Sequence, residues 1–133
     1  MFPEPYSISE TRFECRACGA VFQWRHADAY SLVKFISDDG SEERWLPTYG
    51  ESGYLELLQR LVPSWRPESA ITRSVADAFD RALGKLLERN NLTRFRIETG
   101  KVCPRCSSKE LTIVSEVVLA NPPIERLEVP MEE

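Results

Sequence analysis

The chain is 133 residues long, near the commonest size for one domain, which leaves little room for a second large core. Hydrophobic residues at 42% and charged residues at 29% match ordinary globular usage and exclude wholesale disorder, collagen-like repeats and low-complexity polymers. Seventeen Lys and Arg against 21 Asp and Glu give a net charge of −4, which disfavours a general grip on nucleic acid or anionic membrane; with neither a long apolar run nor a basic, apolar N-terminal leader in MFPEPYSISETRF, the expected location is the cytoplasm.

The first recognisable element is Phe13-Glu14-Cys15-Arg16-Ala17-Cys18-Gly19-Ala20-Val21-Phe22, a CxxC turn between two short apolar flanks. From Tyr30 to Ile36 the β-branched and aromatic content predicts a strand, and Asp38-Asp39-Gly40 predicts a hairpin turn returning through Glu43 to Leu46, with Asp39-Gly40 supplying positive φ. Pro47 limits that strand to an edge or an end. Residues 53–62 space Tyr54, Leu55, Leu57, Leu58, Leu61 and Val62 along one helical face, with Ser52 as the expected N-cap and Pro63 as the stop. A longer helix is expected where Ile71, Val75, Ala78, Phe79, Ala82, Leu83, Leu86 and Leu87 form a stripe at steps of three and four; either Ser69 or Thr72 caps it, and Asn90-Asn91 ends it. Residues 93–99 alternate Phe95 and Ile97 with Arg94, Arg96 and Glu98, which predicts a strand running into the second CxxC turn, Lys101-Val102-Cys103-Pro104-Arg105-Cys106-Ser107-Ser108. Residues 111–119 read as the partner of that strand. Asn121-Pro122-Pro123 then breaks regular structure, and the end from Pro130 is expected to be loose or extended.

Cys15, Cys18, Cys103 and Cys106 are the four cysteines of the chain and come as two CxxC pairs. Where thiols are kept reduced, this pattern reads as one structural, four-thiolate Zn²⁺ site per chain, because tetrahedral sulfur coordination suits Zn²⁺. The turns fit: Gly19 supplies the permissive backbone after the first knuckle, and Pro104 presets φ after the first ligand of the second. The two turns resemble the knuckles of the zinc-ribbon class, which cap β-hairpins; the resemblance covers about a quarter of the chain and points to no particular family. Residues 19–102, 84 positions, separate the inner cysteines, so the ribbon is interrupted by an insert. Closing a loop of that length costs about 4 kcal/mol, which Zn²⁺ binding of roughly 10–16 kcal/mol in four-ligand peptides can offset.

Competing readings are weaker. A redox CxxC belongs at a helix N-terminus, and neither pair is followed by helical periodicity; disulfides suit an exported chain; a catalytic Zn²⁺ needs an open position that four thiolates close; and His26, the one histidine, suits a surface or packing role better than a fifth ligand. The expected architecture is therefore an α+β unit of 1–133 as a single domain: antiparallel zinc-ribbon strands (10–26 and 94–119) interrupted by an inserted β-hairpin and two helices (27–93), with a C-terminal tail (120–133).

No nucleophile elbow or phosphate loop accompanies His26, and pairs such as Asp38-Asp39 suit polar turns, so the expectation is a non-enzymatic protein. Its expected partner is another protein, as for an adaptor or an inhibitor of the antitoxin or immunity type; that comparison rests on size and acidity alone. The candidate anchors are Trp45, Tyr49, Tyr54 and Trp65, but the favoured reading of Trp45 and Tyr54 is that they seal the helices onto the sheet, and of Trp65 that it plugs the corner between the helices. The alternative is a nucleic-acid-binding accessory factor. Residues 10–26 and 94–110 carry eight basic and four acidic residues, so Arg16, Arg25, Arg94, Arg96 and Arg105 could meet phosphates. No membrane contact is expected, and the sequence carries no sign of the oligomeric state.

Overall fold

The computed structural model describes residues 2, 5–27, 31–98 and 101–130, and among them the protein is mixed α+β, with six strands in two antiparallel sheets and two helices. In chain order these are β1 (Ser7–Cys15), β2 (Val21–Ala27), β3 (Leu32–Ser37), β4 (Glu43–Pro47), α1 (Tyr54–Leu61), α2 (Arg73–Arg89), β5 (Phe95–Ile97) and β6 (Leu111–Ala120). The contacts divide the described chain into two units. One comprises 5–27 with 101–123, the other 31–98 with 124–130 and Phe2.

The first unit is the sheet β2-β1-β6. β1 and β2 form a hairpin in which Phe13 faces Phe22 and Thr11 faces Trp24. Phe13 and Phe22 stack with centroids 5.7 Å apart, Phe22 meets Trp24 edge-on at 6.4 Å, and the Lys101 ammonium lies 5.2 Å over the Phe13 ring. β6 runs antiparallel along the other side of β1, with a register shift between Arg12 and Phe13. The expected pairing of residues 93–99 with 111–119 does not form. β6 takes the nine-residue edge of β1 instead, a longer ladder than the three residues of β5 could offer.

In the second unit the sheet is β4-β3-β5, with the 30–36/43–46 hairpin realised as Leu32–Ser37 and Glu43–Pro47; Tyr30 lies outside the described residues, as does Thr99. The turn takes positive φ at Gly40 and not at Asp39. Asp39 instead braces it, its carboxylate accepting from the Ser41 N–H and from the hydroxyls of Ser41 and Ser37, which holds its pKa down at about 2. β5 belongs to this sheet because Phe95 is buried in its core and the Ile97 N–H donates to Asp80 of α2 at 3.1 Å.

The helices match the expected stripes with two local corrections, at Ile71 and at the N-cap of α1. Thr72 caps α2, its hydroxyl accepting from the Val75 N–H, so Ile71 precedes the helix and is exposed. Gly53, not Ser52, is the N-cap of α1: a Cβ there would sit 2.7 Å from the carbonyl oxygens of Pro47 and Tyr49, so only glycine fits. Ser52 takes φ +63° and gives its N–H to Glu56. Phe35 of β3 packs on Tyr54 and Phe79, and Leu57, Leu58, Trp65, Leu83 and Leu87 extend the cluster. Each such side chain contributes about 1.5–3 kcal/mol by leaving water.

The segment after Pro123 is docked on the second sheet; of the end expected to be loose from Pro130, residues 131–133 lie outside the described residues. The Trp45 N–H donates to the Glu125 carbonyl and the Leu127 N–H donates to the Trp45 carbonyl, a parallel bridge along the β4 edge, and Leu127 joins the core cluster. Pro122 and Pro123 end β6, and the apolar side chains of Leu127 and Val129 hold the segment beyond them against the core.

Candidate metal centre

Both knuckles use one hydrogen-bond pattern. In the first, Cys15 N–H donates to the Ala20 carbonyl and Gly19 N–H to the Cys15 carbonyl, both at 2.8 Å. In the second, Cys103 N–H donates to the Ser108 carbonyl at 2.9 Å and Ser107 N–H to the Cys103 carbonyl at 2.8 Å. The residue four positions after each first cysteine is left-handed: Gly19 at φ +80° and Ser107 at +65°. Gly19 adopts that region without cost, whereas a side chain there costs roughly 1–2 kcal/mol. The Arg16 N–H donates to the Glu110 carbonyl at 2.8 Å and ties the first knuckle to the chain entering β6.

These turns bring four sulfurs together from positions far apart in sequence. Cys15 Sγ lies 3.5 Å from Cys106 Sγ, Cys18 Sγ lies 3.6 Å from Cys103 Sγ, and all four are within 4.8 Å of one another. With metal–sulfur bonds of about 2.3 Å, a regular tetrahedron has edges of about 3.8 Å, so the quartet matches a tetrahedral ion with small adjustments. The separations are too long for disulfides, and all four cysteines are free. Cys15 and Cys103 are buried, Cys18 and Cys106 exposed.

Proton affinities across the quartet diverge. The Cys18 N–H leads in drawing the Cys15 pKa down to about 6 against the effect of burial, helped by the Ala17 N–H and the neighbouring sulfurs. Burial raises Cys103, but N–H groups of Cys106 and Arg105 and the Cys18 sulfur outweigh it and leave it lowered. The Ser108 N–H pulls Cys106 down, yet the sulfurs of Cys15, Cys18 and Cys103, with burial, push it up to about 12. Four sulfurs this close resist full ionisation, and a central dication is what allows all four to become thiolates. His26 lies on β2 opposite Ser9 and is not in the cluster.

The other candidate residues do not gather into one site. Trp45, Tyr54 and Trp65 are buried, because the inner faces of β4 and the helices need large apolar side chains; only Tyr49, 65% exposed, is available to a partner. The five arginines are also dispersed. Arg94 and Arg96 belong to the second unit, and Arg94 pairs with Asp38 at 3.2 Å and Glu88 at 3.4 Å. Arg25 donates to the Pro123 carbonyl, leaving Arg16 and Arg105 exposed on the knuckles. Without Arg94 and Arg96 the described residues of the first unit hold six basic residues (Arg12, Arg16, Arg25, Lys101, Arg105, Lys109) against four acidic ones (Glu10, Glu14, Glu110, Glu116), a surplus of two. Sequence reasoning missed Ile113, Val114, Val117 and Val118, all more than half exposed on β6. Their signal was the adjacent apolar pairs Ile113-Val114 and Val117-Val118, which break the polar alternation of a strand with one solvated face.

No protein-family model, curated protein or solved structure matches the chain.

Proposed function

We propose that the protein is a zinc-stapled, non-catalytic module that acts by binding protein. The observation that carries the metal reading is the convergence of Cys15, Cys18, Cys103 and Cys106 within 4.8 Å on two like-patterned knuckles. Thiolate-only tetrahedral sets favour Zn²⁺ among common cellular divalent ions, and four protein ligands leave no position for substrate. The ion's role is then structural: it holds together segments separated by the whole of residues 19–102.

Protein is favoured over nucleic acid as partner on charge. A Zn²⁺ ion with four thiolates carries −2, and the exposed residues Arg16 and Arg105, which flank the ligands, offset that charge locally. The basic character of the knuckles then has an internal use: the surplus of two positive charges among the described residues of the unit around them equals the site's −2, which leaves none to exchange for phosphate counterions. Exposed apolar side chains on β6 favour a protein surface as the contact.

Affinity capture from the native cells, with and without nuclease, tests the partner class. A protein held at stoichiometric level through nuclease and high salt is the expected result. Nucleic acid as the retained species, lost with nuclease and on Arg16→Ala with Arg105→Ala, overturns it.

A further inference from the structure

β6 is the outer strand of its sheet, hydrogen-bonded on one side to β1. Ile113, Val114, Val117 and Val118 are 60%, 54%, 54% and 62% exposed. They do not share one face. Ile113 and Val118 stand opposite Phe13 and Ser9, whereas Val117 stands opposite Glu10 on the other side of the sheet. Apolar surface therefore wraps around the free edge. A helix or flat surface laid on one face would cover half of it; a strand added along the edge covers both halves.

The other edges are protected. β4 is closed by the Glu125–Leu127 bridge, β5 is three residues long, and β2 interleaves Gln23 and Arg25 with its aromatics. β6 has ten residues, no proline and one charged side chain, Glu116, whose Oε2 accepts from the Thr11 hydroxyl at 3.0 Å and so leans back over β1. It lacks the charge, proline or short length that keeps exposed edges from pairing.

We propose that the occupant of this edge is a second copy of the chain, its β6 pairing antiparallel with the first across a two-fold axis to make one six-stranded sheet. The edge asks for an extended strand of low charge that is apolar on both faces, and β6 has that composition itself, its one carboxylate being taken up by Thr11. A two-fold antiparallel pairing lets the free donors and acceptors of each copy meet those of the other. Ten residues span about 33 Å, and a strip of that length about 10 Å deep gives roughly 700 Å² over both partners. Tight dimers bury about 1,200 Å² or more, so this association is weak and reversible. This rests on the protein-binding reading above and names its surface and partner.

Sedimentation velocity of the full, zinc-loaded chain over a dilution series from about 1 to 300 µM is the test, with metal content measured on the same samples. Wild type is expected to shift from one chain to two as concentration rises. Val114→Lys with Val117→Lys places like charges along the pairing edge and is expected to weaken association at least tenfold, with zinc content and melting temperature unchanged because both sites are exposed. Tyr49→Ala should associate like wild type. A wild type that stays monomeric while holding its zinc overturns the dimer and leaves the metal reading intact; a metal-free wild type that dimerises does the reverse. A lysine variant that associates like wild type, or a monomer that takes up an unrelated apolar β-peptide along β6, also overturns the proposal.

Discussion

Replacing Leu127 by Ala should show that the C-terminal segment is part of the second unit's core. Leu127 is 3% exposed and joins the cluster containing Leu46, Leu57 and Leu58, although it lies more than thirty positions beyond the nearest other member in sequence. Buried Leu→Ala changes cost roughly 2–5 kcal/mol, rising with the volume left empty. Leu127 also borders a cavity of about 240 Å³ shared with Leu46, Leu57 and Val129, which opens to solvent, so the void can relax or fill. That places the cost near the lower end, about 2.5 kcal/mol, or roughly 10 °C in Tm for a chain of this size. Urea unfolding monitored by the fluorescence of the buried Trp45 and Trp65 measures it. Glu125→Ala is the control: its backbone keeps the bridge to Trp45, and its ion pair with Arg44 at 3.7 Å involves an exposed carboxylate, so it should cost less than about 1 kcal/mol. A loss below about 1 kcal/mol for Leu127→Ala would refute the docking of residues 124–130.

Two glycines should respond oppositely to alanine, as read by the same unfolding assay. At Gly53 the new Cβ meets backbone oxygens of Pro47 and Tyr49 at 2.7 Å and should cost about 1–3 kcal/mol; at Gly84 it meets the movable Arg94 guanidinium, and the gain in helix propensity of about 1 kcal/mol offsets weakened surface ion pairs, for a net change near zero. Asp80→Asn should stabilise the protein at neutral pH. Burial raises the Asp80 pKa above its unfolded value, so its charge opposes folding once pH rises through that window; the amide oxygen can still accept from Ile97, and melting curves should show an advantage that disappears below about pH 4. In the knuckles, Gly19→Ala should cost about 1–2 kcal/mol and weaken zinc retention against a chromophoric chelator, whereas Ser107→Gly relieves the left-handed strain at φ +65° and should be neutral or slightly stabilising.

Local signals were legible from sequence where the physics is local. The stripes of α1 and α2, the hairpin around Gly40 and the paired cysteines each lie within a short window, and each element stands close to its expected place. The unread parts depend on competition between distant partners. Phe95 and Ile97 alternate like any strand, and nothing near them says that β3 and Asp80 will take them while β6 goes to β1. Trp45 and Tyr54 sit among Pro and Gly, where sequence allows either an exposed anchor or a seal between helices and sheet, and the favoured seal is what forms. Leu127 comes after two prolines, a pattern that suggests a frayed end, and its burial depends on a β4 edge eighty residues earlier. The charge surplus expected around the knuckles halves, because Arg94 and Arg96 belong to the other unit.

The most direct test of the zinc staple is elemental analysis of the chain purified under reducing conditions without chelator, alongside Cys15→Ser and Cys106→Ser. One zinc per wild-type chain, lost in both variants together with a fall in melting temperature, is the expected result. Zinc-free wild type, stoichiometric iron in its place, or variants that keep both metal and melting temperature would contradict it.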